Sequence, residues 1–426
     1  MHKPPEYNAS QTQPRRRSQN DDRGVQKYAL DDSRGQTWMW LNVTSRAPQN
    51  SDKPSVLPLF YENDAVEGDV AVDFDKAGGP QGIRVAITAG VTTVGQEEVT
   101  FLDISDTLYD AKAANGAKPK GKMTYPFSLK LPSEVSVTAA GPPTLHPLPP
   151  SFSERPSNAY IDYKIVVTAK RGMFRVNQTL STSFVYIPVS RAEPPSRLRQ
   201  LAYTDSSPLI GPDVDPEGWK VLPPIQVAGL AFNTRPAEVA CTFAIAKPLS
   251  YAISSPIPLH LTLTSPDKQI LDLLSNPSHL KIQLIRERSI GQTALRAGRE
   301  RTDNTFREPC STAYLWPTPG DGEDNRVFQG ELFVGNRLKP SFSFPGFALK
   351  YSVCLLRFDV PGFVPSSSKE LLLSENVVIR TTNAPGVVPK SYAPPGYEHR
   401  EEGNYSNAVG YLENGNQRFY HRGGFQ

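Results

Sequence analysis

The sequence predicts an all-β protein: two tandem immunoglobulin-like β-sandwich domains with disordered N- and C-terminal tails. Three observations lead there. Short runs of β-branched and aromatic residues recur with a period of two, separated by Gly, Pro, Asn and Asp clusters. Pro supplies 41 of 426 residues, about double the usual share of ~5%. Because Pro is excluded from helix interiors and central strands, a helical protein is ruled out. Finally, a Pro-rich break divides the chain into two blocks of similar rhythm, and the length accommodates both.

Residues 1–36 are predicted to be disordered, since Pro, Gln, Asn, Asp and Arg dominate and little is available to bury. The first sandwich is assigned to 37–192, with strand-like segments at 38–43, 57–61, 68–74, 83–88, 99–104, 125–131, 160–169 and 174–187. Ile83, Val85 and Ile87 share one face, opposite Arg84 and Thr88; Ile161, Tyr163, Ile165 and Val167 share another, opposite Asp162, Lys164 and Thr168. One packed and one wet face is the pattern of antiparallel sheets. Residues 193–222 read as a linker, with Pro194-Pro195, Ser207-Pro208 and Gly211-Pro212. The second sandwich is assigned to 223–384, where Val239, Cys241, Phe243 and Ile245 share a face, as do Leu259, Leu261 and Leu263; further strands fall at 282–285, 327–334, 351–358 and 377–379. A helical turn is predicted at 267–274, opened by Pro266-Asp267 and closed by Asn276-Pro277. Residues 385–426 return to tail composition.

Several function classes are disfavoured. The net charge of +3 argues against a nucleic-acid binder. No apolar run reaches the ~18 residues of a membrane span, and the N-terminus has no apolar signal-peptide core. Cys241, Cys310 and Cys354 are odd in number and lack ligand spacing, which predicts buried free thiols in a reducing, cytoplasmic setting. The glycosylation triplets at Asn8, Asn42, Asn177 and Asn404 then read as chance. No HExxH, GxSxG or phosphate-loop motif occurs, and His146, His260 and His279 form no ligand pair. The expectation is a non-enzyme with no cofactor and no metal. Lys112 to Lys122, and the six arginines at 286, 288, 296, 299, 301 and 307, read as solvated loops, and the PxxP at Pro147–Pro150 as a structural turn.

Within this frame, residues 160–188 (YIDYKIVVTAKRGMFRVNQTLSTSFVYIP) resemble the arrestin N-domain hairpin. Pro126-Phe127-Ser128-Leu129 with Leu131-Pro132 is similar to the strand preceding it, and Leu148-Pro149-Pro150-Ser151-Phe152 to the family's LPPSF turn. Leu59-Phe60-Tyr61, with Gly68 between Val66 and Val70, resembles an early strand pair; Val239, Cys241, Lys247-Pro248, Tyr251 and Ile257-Pro258-Leu259 resemble the opening of fungal arrestin-like C-domains. Over about residues 38–385 the chain thus resembles fungal-type α-arrestins (arrestin-related trafficking adaptors), which implies sandwiches of arrestin type.

Both tails carry a PPxY motif: Pro4, Pro5 and Tyr7 in the first, and Pro394, Pro395 and Tyr397 in the second. With 41 Pro and 17 Tyr in the chain, chance supplies well under one such match. Two prolines pre-form a polyproline II segment that docks on an aromatic groove at little entropic cost, and the Tyr, one turn on, fills a second pocket. This is the ligand pattern of WW domains. The resemblance implies that such motifs recruit a WW-domain HECT-type ubiquitin ligase while the folded part engages the cytosolic part of a membrane transporter or receptor. It also implies recruitment from the cytoplasm to plasma membrane or endosomes, with a peripheral membrane contact. Ser18, after Arg15-Arg16-Arg17, has a basophilic-kinase phosphorylation pattern. Two other readings stay open at this point: an arrestin-fold signalling or trafficking scaffold with no ligase partner, and a secreted Ig-like adhesion protein.

Overall fold

The computed structural model describes residues 23–47, 57–93, 97–113, 119–138, 142–154, 157–172, 175–291, 294, 305–318 and 322–395. The described residues are 56% strand and 6% helix, so the all-β expectation holds for them. In the first half β1 (Gly24–Asp31), β2 (Thr37–Ser45), β3 (Leu59–Tyr61), β4 (Ala65–Asp73), β5 (Gly82–Thr93) and β6 (Val99–Asp110) are followed by β7 (Lys122–Lys130), β8 (Glu134–Val137), β9 (Thr144–Pro147), β10 (Ala159–Lys170) and β11 (Gln178–Ile187). They form a four-stranded sheet ordered β1-β2-β4-β7, a five-stranded sheet ordered β3-β11-β10-β5-β6, and the hairpin β8-β9.

After the helix α1 (Arg197–Asp205) come β12 (Trp219–Val221), β13 (Ile225–Ala231), β14 (Arg235–Ala246), β15 (Ser250–Ala252), β16 (Pro256–Thr264) and α2 (Lys268–Leu274). The chain continues through β17 (Ile282–Gly291), β18 (Thr305–Thr312), β19 (Tyr314–Pro317), β20 (Asn325–Phe333), β21 (Phe342–Phe344), β22 (Gly346–Leu356), β23 (Phe363–Pro365) and β24 (Leu371–Arg380). One sheet runs β19-β20-β16-β14-β13-β23 with β12 beside β14; the other runs β15-β24-β22-β17-β18 with β21 beside β22. Each half is sandwich-like, with the inward faces of its sheets in a continuous apolar core.

The alternation read from the sequence is what fills this core. Ile83, Val85, Ile87, Ile165 and Val167 are fully buried, as are Val239, Cys241, Phe243, Ile245, Leu261 and Leu263. Asp267 caps α2, its carboxylate accepting from the backbone N–H groups of Gln269 and Ile270, which fixes the turn and seats Ile270, Leu271 and Leu274 in the core.

Three segment assignments need correction. Within the predicted tail 1–36, residues 24–31 form an edge strand whose backbone pairs along β2, with an irregularity opposite Trp38; its alternate residues are exposed, so its sequence is too polar to read as a strand. Within the predicted linker 193–222, Ser196 caps α1 through the N–H of Arg199, Ala202 and Tyr203 are buried beneath it, and β12 pairs with β14. Residues 385–395, assigned to the second tail, are placed against α1 and β20.

Gly68 faces Val43 across the β2–β4 ladder, and an added Cβ would lie 2.1 Å from the Asn42 carbonyl oxygen and 3.0 Å from the Phe127 ring. Both obstacles belong to packed strands, so overpacking dominates. Gly68→Ala should destabilise the chain by about 1–3 kcal/mol, read as a lower denaturation midpoint; an unchanged midpoint would mean that the sheet tolerates a local spread.

Candidate functional site

Two places concentrate polar chemistry, and the first lies between the halves. Residues 148–154 are clipped to the five-stranded sheet: the Ser151 N–H donates to the Tyr186 carbonyl (2.9 Å), and the Tyr186 N–H donates to Ser151 Oγ (2.9 Å). Phe152 bridges Ile161, and the Tyr163 hydroxyl donates to the Pro149 carbonyl (2.6 Å). The LPPSF segment is therefore an anchored turn that carries Phe152 and Glu154 out to the second half. Phe152 meets Phe347 edge-on with centroids 4.6 Å apart, and Phe101 meets Phe344 at 4.7 Å.

Beside these rings lies a charge cluster. Both Glu154 carboxylate oxygens accept from the Arg286 guanidinium at 2.9 Å. Arg286 also binds Glu308, and Arg288 lies 3.3 Å from the same Glu308 oxygen. The Lys339 ammonium sits 3.3 Å from Glu154, donates to the Ser153 carbonyl at 3.3 Å and lies 4.3 Å from the Phe152 ring centroid. The Arg286, Glu154 and Lys339 side chains are 1%, 5% and 0% exposed, so water does not screen the contacts among these three. Burial pushes the Glu154 carboxyl up, but Lys339 and Arg286 outweigh it and hold it below its ordinary value. Burial likewise opposes the charge on Arg286, yet Glu154, Tyr351 and Glu308 together more than offset it and raise its pKa. For Lys339 burial wins over Glu154 and brings the ammonium down to about 8.

This corrects the reading of the arginine-rich stretch as a solvated loop. Arg286 and Arg288 lie on β17 with their side chains inward, and Arg307 on β18 pairs with Glu287 at 2.7 Å; Arg296, Arg299 and Arg301 lie outside the described residues. A sequence signal for the buried pair existed. Ile282, Leu284, Arg286 and Arg288 share one parity, so a buried apolar face continues into two cations. Lys339 carries no comparable signal. In the Lys-rich stretch, Lys122 opens β7 and covers the Trp40 ring at 3.9 Å.

The second place is where the chain leaves the second sandwich. Thr381 and Thr382 bond Ser190, and the Ala192 N–H donates to the Thr382 carbonyl (2.8 Å). The exits from both halves therefore run side by side, and the segment after 382 meets α1. A small cleft between them is lined by Ala192, Arg199, Tyr203, Tyr251, Ala384 and Val387. The Tyr392 N–H donates to the buried Glu331 carboxylate (2.9 Å), and its hydroxyl donates to the Ala202 carbonyl (2.8 Å). Its ring stacks on Tyr203 with centroids 6.2 Å apart, and the Lys390 ammonium donates to Ser206 Oγ (2.7 Å). Pro394 is half-buried directly after this segment, and Pro395 is exposed. Pro4, Pro5, Tyr7, Ser18 and Tyr397 lie outside the described residues.

Among the described residues no helix is long and apolar enough to cross a membrane. The chain defines an all-β, sandwich-like class of protein. No protein-family model matches it, and no curated protein is similar to it in sequence.

Two predictions follow from the charge cluster. Glu154→Gln removes the buried carboxylate that Arg286 and Lys339 share and should cost about 3–5 kcal/mol of stability, whereas Asp103→Asn, which breaks the exposed Arg84–Asp103 pair, should leave the denaturation midpoint unchanged. Equal effects would mean that the buried cluster is screened. For Lys339 the folded value is about 8 against an ordinary 10.5, so between these the unfolded chain binds more protons and stability rises with pH. The stability of the wild type relative to Lys339→Met should therefore climb from pH 8 to 10; a flat difference refutes the assignment.

Proposed function

We propose that this chain is a cytosolic α-arrestin-like adaptor, its two sandwiches of arrestin type. It links membrane-protein cargo to a WW-domain HECT-type ubiquitin ligase and thereby promotes cargo ubiquitination and endocytosis. The observation that carries the reading is the pair of PPxY motifs placed outside both sandwiches in sequence, the second beginning where the packed segment ends, with Pro395 exposed. Pro4, Pro5 and Tyr7, and Pro394, Pro395 and Tyr397, make the ligase contact. The sandwich surfaces serve cargo, whose identity is set by edges and loops rather than by the fold. A buried, charge-fixed junction between the halves suits this division, since it holds the cargo-binding faces in a set relation to the ligase-binding tail. Two weak WW sites on one chain gain avidity on a ligase with several WW domains through effective concentration.

The test is calorimetry of WW domains from a HECT-type ligase against the full chain and a Tyr7→Ala/Tyr397→Ala variant. Micromolar binding that is lost in the double variant is expected. Binding indifferent to both tyrosines, or none, would leave a scaffold without a ligase partner.

A further inference from the structure

We propose that residues 387–393 are a strap that packs on α1 and β20 directly before the C-terminal PPxY motif, so that a WW domain reaches the motif only when the strap lifts. The inference rests on the reading of this motif as a WW ligand and adds its regulation.

Docking is specific at both ends of Tyr392. Ala202 lies in the last turn of α1, where carbonyls lack helical partners, and the Tyr392 hydroxyl supplies a donor to it. The Glu331 carboxylate, on β20 and 2% exposed, accepts the Tyr392 backbone N–H. Ring stacking on Tyr203 and the Lys390–Ser206 bond extend the contact to both sides. The receptor is assembled from the connection between the halves and an edge-proximal strand of the second half, both ordered by their own packing.

The docked form conflicts with WW recognition in two ways. A WW groove grips both prolines of an extended polyproline II segment, but here Pro394 is half-covered by its own protein and the chain turns at Pro395. The Ala393 N–H bonds Ser391 Oγ (3.3 Å), a local turn immediately upstream of the motif. Tyr392 is also two residues from Pro394, too near for a folded WW domain to bind without displacing it. The apparent affinity is then the intrinsic one reduced by the fraction of chains with the strap lifted. Losing one docking bond should raise that fraction, and the affinity, by about three- to tenfold.

The experiment uses the full chain with Tyr7→Ala, which removes the N-terminal copy, and a purified WW domain of a HECT-type ligase. Adding Tyr397→Ala tests the underlying reading: binding that survives it means the motif is not the ligand, and the strap proposal falls with it. Adding Tyr203→Ala or Glu331→Ala leaves the motif and its flanks untouched, so a three- to tenfold tighter Kd supports docking, and an equal or weaker Kd overturns it. A measurement free of variants completes the test. Amide exchange at Tyr392 in the Tyr7→Ala chain should accelerate when the WW domain is bound; a Tyr392 amide that stays protected in the complex shows that strap and WW domain coexist, and refutes the proposal.

Discussion

The rest of the architecture depends on the ionic contact of Glu154 with Arg286 and Lys339. Each group comes from a separately anchored element: Glu154 from the turn clipped to the five-stranded sheet, Arg286 from β17 between β18 and β22, and Lys339 from the approach to β21. Removing such charges from water is costly, and their mutual attraction compensates only when the geometry is close. At 2.9 Å, through two parallel hydrogen bonds, Glu154 and Arg286 meet that condition. A small rotation of one half against the other would break the fork while leaving its members desolvated. The cluster therefore acts less as net stabilisation than as a constraint on how the halves sit.

The aromatic contacts alone would not impose that constraint. Phe101, Phe152, Phe342, Phe344 and Phe347 form an edge-to-face group across the junction, and such pairs tolerate a range of centroid distances. Apolar burial brings the halves together without choosing among neighbouring arrangements. The directional bonds of Arg286 make that choice, and the Lys339 ammonium over Phe152 joins the two groups. The second tie, Ser190 and Ala192 against Thr381 and Thr382, acts at the other end of the chain path, so rotation about the polar cluster is restrained as well.

What the sequence disclosed followed from periodicity. Inward positions of β5, β10, β14 and β16 were legible because one face of each is fully buried, which forces strict alternation. α2 was legible through Asp267 and its 3.6-residue spacing. β1 was not, because an edge strand held by backbone pairing leaves little trace in side-chain type. α1 was missed because prolines surround it, and because its buried positions include Arg199, which donates to the Lys247 and Gly218 carbonyls. The PPxY motifs are sequence features and could be read directly, whereas the docking of Tyr392 depends on Ala202 and Glu331, 190 and 61 residues away. No local pattern encodes such a meeting.

The same distance gives the tail its coupling to the fold. α1 follows directly from the first half in sequence, but Arg199 ties it to the second half through the Lys247 and Gly218 carbonyls, so α1 and β20 present the two acceptors of Tyr392 in one fixed relation. Tyr392 bonds to both at once, and two hydrogen bonds of fixed reach cannot follow a relative displacement of their acceptors. The segment before the C-terminal PPxY motif is thus held where α1 and β20 meet, and any displacement of α1 from β20 would release it. Such coupling needs only a differential stability of the docked strap in two arrangements of α1 and β20, which is the minimum any linkage between distant sites requires.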